Sequence, residues 1–131
     1  MMGIGLIEWF VLWVVVVLAP PGLRLLGADD RRFFRWFAAG LVVLSCVLGI
    51  GIFAMVLIGG WWLFTLSGAV KSGWRLKGFQ FLLEEAVAVA AWGFLLVGAS
   101  WLVLSRGGVS PMGFTEPIVI LTAMHFHFLG F

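Results

Sequence analysis

Four long apolar runs, at about 4–19, 36–58 (extendable to 66), 81–104 and 116–131, alternate with short segments that carry nearly all the charge. Within each run the apolar residues occupy every side of a helix rather than one stripe, and they do not alternate with polar residues as barrel strands do. The pattern predicts an all-α, polytopic transmembrane helical bundle with four spans. Pro20-Pro21 end the first run, because proline has no N–H for the helix ladder and disfavours helix in the residue before it. Gly59-Gly60 are expected to weaken the second helix, with Trp61-Trp62 marking a membrane interface just beyond. Thr115 is placed to cap the fourth run, and Pro117 is tolerated in its first turn. A hydrocarbon core of about 30 Å needs roughly 20 helical residues, and the fourth run stops short of that. The expectation is a single membrane-embedded domain, 1–131, belonging to a longer protein or assembly, with the lipid bilayer and additional transmembrane helices as its partners.

Composition narrows the class further. Hydrophobic residues make up 63% of the chain and charged residues 11%, with a mean hydropathy of +1.18; soluble domains carry roughly 25% charge. The net charge is only +2, and the basic residues lie in connecting segments rather than along one helix face, so nucleic acid is excluded as a partner. Cys46 is the one cysteine, which rules out an intrachain disulfide or a CxxC pair. The first run lacks a basic leader, carries Glu8 and ends in prolines rather than a cleavage site, so it reads as a retained span. Trp9, Trp13, Trp36, Trp61, Trp62 and Trp101 fall toward span ends, whereas Trp92 is mid-span and is expected to pack between helices. If the loops alternate sides, Arg24, Arg31, Arg32, Arg35 and Arg106 stand against Lys71, Arg75 and Lys77, which favours a cytoplasmic first loop.

Chemistry is sparse. His125 and His127 have the H-x-H spacing of a metal site, but two positions on a helix diverge by about 200°, so they cannot grip one ion from a regular helix. Either alone remains a candidate for an interhelical contact, a metal or proton site, or a haem or pigment ligand. Glu116, Ile120, Ala123 and His127 share a stripe, and Thr122 lies a turn before His125, within reach to orient it. Glu84 and Glu85 open the third run, where the helix dipole favours carboxylates; buried more deeply, they would serve as proton donors. Glu8 has the same two readings, and Asp29-Asp30 beside Arg31-Arg32 reads as a solvated cluster. The candidate catalytic residues are therefore His125, His127, Glu84 and Glu85; no cofactor is identified. Small residues at Ala86, Ala90, Ala91, Gly93, Gly98, Ala99, Gly40, Gly49 and Gly51 point to spans two and three as the inside of the bundle. No P-loop, nucleophile elbow, zincin, haem-attachment or dinucleotide motif is present.

The stretch from Gly113-Phe114 through Leu121-Thr122-Ala123-Met124-His125-Phe126-His127-Phe128-Leu129-Gly130-Phe131 resembles the YndJ-like family of bacterial integral membrane proteins. Leu18 to Leu26 is similar to that family's first loop. The likeness implies a multi-pass protein that continues through further helices, and it draws attention to Thr122, His125, Phe126, His127 and Gly130. Met124 and Leu129 depart from the family's usual Val and Ala as apolar exchanges that keep the His spacing. No activity comes with the family. Three readings stay open: a non-enzymatic membrane component packing with further helices, a membrane-embedded enzyme acting on a lipid or isoprenoid with His and Glu as acid and base, and a small-solute or proton transporter.

Overall fold

A computed structural model of the chain describes residues 5, 9, 13, 17, 32–75, 83–115 and 118–130. Apart from Gly5, Trp9, Trp13 and Val17, the first run, Glu8 included, lies outside these residues, as do its closing prolines, Asp29, Asp30, Lys77 and Glu116. The described chain is all helical, with no strand: α1 (Arg32–Leu48), α2 (Ile52–Arg75), α3 (Leu83–Arg106), a short 3-10 turn (Pro111–Gly113) and α4 (Ile118–Gly130). Just ahead of α4, the Thr115 carbonyl, rather than its side chain, accepts the Ile118 N–H at 2.9 Å.

The second run divides differently from the hydropathy reading. In place of one helix from Trp36 past Ile58, α1 ends at Leu48 and α2 starts at Ile52. The reversal depends on Gly49 and Gly51, whose φ angles of 79° and 157° are strained for any residue with a Cβ. The Gly49 N–H closes α1 on the Cys46 carbonyl, the Gly51 N–H donates to the Arg106 carbonyl at 2.8 Å, and the Gly51 carbonyl starts α2 by accepting from Met55. Gly59-Gly60, expected to weaken a helix end, instead lie inside α2, and a Cβ on Gly60 would collide with Leu41.

Sequential helices pack side by side, and the partners run in opposite directions. Leu41 meets Gly60; Trp92 covers Gly68 while Met55 approaches Gly107; Gly98 faces Ala123. The extra reversal moves the charges. Arg32 and Arg35 open α1 and Lys71 and Arg75 close α2, so these residues share one end of the bundle; the 49–51 turn and Arg106 mark the other. The alternation of sides assumed for the first two basic segments therefore does not hold.

Large apolar side chains are found both inside and out. Val42, Ile58, Trp61, Leu95 and Leu102 are fully buried, yet Phe33, Phe53 and Leu83 are each more than 75% exposed. Among the described residues two helices, α2 and α3, are long and apolar enough to cross a membrane, fewer than the four spans expected; the apolar parts of α1 (Trp36–Leu48) and α4 (Ile118–Leu129) are shorter, and most of the expected first span lies outside these residues.

Candidate functional site

The polar groups that meet inside the bundle come from α2, α3 and α4. On α4 the helical period puts Ile120, Ala123 and His127 on the buried face, each at 3% exposure or less. His125, two residues before His127, points outward. The two imidazoles thus leave opposite faces, as the helix period requires, and the described residues contain no cluster of three or more His, Cys, Asp or Glu able to hold a metal.

Both nitrogens of His127 are engaged. Nδ1 donates to the Ala123 carbonyl one turn back at 2.7 Å, and Nε2 accepts the Trp61 indole N–H at 2.9 Å. An indole nitrogen only donates, so Nε2 must be unprotonated and the ring is the neutral Nδ1–H tautomer. The rings of Trp61 and His127 also lie nearly parallel, 20° apart with centroids at 6.0 Å. Stacking continues from Trp61 to Phe64, whose edge meets Trp92, so aromatic contacts join α4, α2 and α3. Gly98 is what lets α4 come this close: a Cβ there would stand 2.6 Å from His127 Nδ1 and 3.0 Å from the Ala123 carbonyl.

Trp62 makes a second tie from the next position. Its indole N–H donates to Ser100 Oγ at 2.9 Å, and that hydroxyl in turn donates to the Leu96 carbonyl of its own helix. Adjacent residues of a helix point about 100° apart, so one tryptophan reaches α4 and its neighbour reaches α3. The pair is therefore a mid-helix clamp and not an interface marker. The signal in the sequence was the distance to charge: the nearest charged residue after Trp62 is Lys71, more than two turns away. Trp92 packs between helices as expected, at 4% exposure.

The carboxylate candidates are elsewhere. Glu84 is exposed and Glu85 half-buried in the first turn of α3, and Glu85 precedes the Gly98 level by 13 residues, about 20 Å along a helix. The structure therefore does not bring Glu84 or Glu85 to His127, nor His125 to any of them. The Thr122 hydroxyl donates to the Ile118 carbonyl of its own helix, and among the described residues no hydrogen bond joins it to His125. Of the small residues singled out from the sequence, Gly98 and Ala99 are buried at helix contacts, whereas Gly40 and Ala90 face outward and Gly49 and Gly51 form the turn. Gly60 and Gly68, which the sequence reading passed over as packing sites, are where Leu41 and Trp92 press closest.

Arg106 is the other polar residue that the sequence reading misplaced. Counted there as a loop charge, it is 2% exposed in the last turn of α3, where a cation suits the helix dipole. Its Nη2 donates to Ser105 Oγ at 3.3 Å, and its carbonyl holds the 49–51 turn.

The sequence profile of the family described as YndJ-like protein matches residues 10–131. A relative in Bacillus subtilis (strain 168), named uncharacterized membrane protein YndJ, is 30% identical over 95 residues, 72% of this chain. The matched stretch spans only 17% of that relative's length. No solved structure matches. With its all-helical fold and a match covering nearly the whole sequence, the chain belongs to the YndJ-like family.

Proposed function

We propose that the chain is a structural packing module of a multi-pass membrane protein, in which the 4–19 run, the α1–α2 unit, α3 and α4 lie in the bilayer and further helices of a longer protein pack against them. One observation carries this reading: the bundle's buried histidine is fully occupied by structural bonds, to Trp61 and to its own helix. An acid–base residue needs a nitrogen free to meet substrate within hydrogen-bond reach, and His127 keeps none. The exposed apolar surfaces of α1, α2 and α3 suit lipid or neighbouring helices, and the much greater length of the Bacillus relative supports additional helices.

Charge placement orients the module. Arg32, Arg35, Lys71 and Arg75 at one end, against Arg106 at the other, support a cytoplasmic position for the end with Lys71 and Arg75, by the bias of basic residues toward that side. The sole cysteine is buried, so replacing Cys46 with alanine gives a clean background for labelling. In that background S110C should react with a membrane-impermeant maleimide in intact cells, and R75C only after permeabilisation. The reverse pattern would invert the orientation, and labelling of both without permeabilisation would remove the crossing. The packing role is tested in the full-length protein by H127L, which should lower thermal stability in detergent while leaving membrane insertion intact. A variant as stable as the parent would overturn it.

A further inference from the structure

Beside α1 and α2 the bundle is not closed. Phe34, Phe37 and Leu41 of α1 and Gly60, Leu63 and Ser67 of α2 line a groove of about 470 Å³ that opens outward and is overwhelmingly apolar. That volume falls within the roughly 300–1,000 Å³ usual for small-molecule sites. The lining positions recur at three- and four-residue steps on both helices, so the groove follows the helix axes for about two turns, roughly 10 Å. It runs from the Leu41–Gly60 level toward the basic end of the bundle.

The charges continue the same line. Lys71 stands one turn beyond Ser67 on the stripe that Leu63 and Ser67 begin, and Arg75 stands one turn further; both are exposed. Arg32 and Arg35 occupy the facing end of α1. Among the described residues the acidic groups at this end are Glu84 and Glu85 of α3, which packs on α2, and no ion pair joins them to Lys71 or Arg75; Asp29 and Asp30, which precede α1 in the chain, lie outside the described residues. An apolar channel leading to exposed cations has the two-part chemistry of one membrane component. We infer that the α1–α2 groove is a binding site for an anionic phospholipid, with an acyl chain against Phe34, Phe37 and Leu63 and the phosphate held by Lys71 and Arg75. The inference rests on the membrane reading above. Basic residues beside grooves between membrane helices attract anionic headgroups on charge alone, and the long lysine and arginine side chains reach the interface from within a span.

Native mass spectrometry of the full-length protein in detergent, titrated with phosphatidylglycerol or phosphatidylcholine, tests the site. Phosphatidylglycerol should bind more tightly, and each of K71Q and R75Q should weaken it by about fivefold, with the double variant approaching phosphatidylcholine. L63W, which adds bulk at an exposed groove position, should weaken both lipids. Equal affinity of the parent protein for the two lipids would overturn the proposal, as would a double glutamine variant that keeps its preference or an L63W variant that binds normally. L63C crosslinking into a dimer in membranes, together with failure to bind phosphatidylglycerol, would assign the groove to a second copy instead. Helix content of every variant is followed by circular dichroism, so that misfolding is not read as lost binding. A chain that stays monodisperse without detergent would sink the membrane reading itself, a result distinct from all of these.

Discussion

The two sides of α2 solve the same packing problem in different ways. Toward α3 and α4 it presents Trp61 and Trp62, whose indole N–H groups find acceptors on His127 and Ser100, and it seats Trp92 on Gly68. Toward α1 it presents Gly60, Leu63, Phe64 and Ser67 along an open groove. On the proposed membrane reading, helices in lipid are not driven together by escape from water, so contact comes from close van der Waals fit and interhelical hydrogen bonds. The α3–α4 side has both, and it closes. The α1 side also fits closely, with Ala38, Ala39, Val42 and Cys46 in the buried core and Leu41 on Gly60, but beside that contact it leaves the groove open. Polar pairs thus mark the closed side of this bundle, and the proposed lipid site lies on the other.

Filling the close approach should break the closed side most severely. In G98L the new side chain would displace both the His127 ring and the Ala123 carbonyl, and backbone cannot yield as a flexible side chain can. Overpacking of a tight contact costs on the order of 3 kcal/mol, and here it would separate α4 from α3. Reversible unfolding in mixed micelles should show the largest loss of any variant considered, whereas L63W, adding similar bulk on the groove side, should leave stability nearly unchanged. Equal losses would erase the difference between the two sides.

Removing the central polar pair comes next. H127L leaves the buried Trp61 N–H without an acceptor, at a cost of about 1–3 kcal/mol, while W61F removes the donor and part of the ring contact. The double variant should recover some of the sum, since interhelical hydrogen bonds in lipid contribute about 0.6 kcal/mol on average. A double-mutant cycle with no coupling would mean that the two rings are merely adjacent. Trp62 is half-buried, so W62F and S100A should each cost less, about 0.5 kcal/mol, and should couple to one another and not to the His127 pair.

How much of this was legible in the sequence depends on what a one-dimensional pattern can hold. The all-helical class and the sharing of one stripe by Ile120, Ala123 and His127 follow from apolar runs and a 3.6-residue period, and both are observed; which stripe is buried does not follow from a run that is apolar on every side. The reversal at Gly49-Ile50-Gly51 was not legible, because glycine and isoleucine are as apolar as the helices they separate; only the positive φ angles reveal it. That one hidden turn also defeated the charge count, since every basic segment after it changes ends. Tryptophan was misread for a related reason. An amphipathic ring is equally content in the headgroup region or between helices with an acceptor nearby, and the acceptors on His127 and Ser100 are 66 and 38 residues away.

The two histidines give the finest test, because they differ in little except helical phase. His125 meets the edge of Phe126 at 5.8 Å and otherwise faces out of the bundle, so the stability of H125L should stay within about 0.5 kcal/mol of the parent. On the packing reading, H127L is destabilised and H125L is not, and the ratio of the two losses measures how far burial alone separates chemically identical side chains. If H125L instead proved the more damaging in the full-length protein while remaining neutral in the isolated chain, the outward face of α4 would be an interface with a further helix. His125 would then be to that neighbour what His127 is to α2, and the closed side of the bundle would extend beyond the helices described.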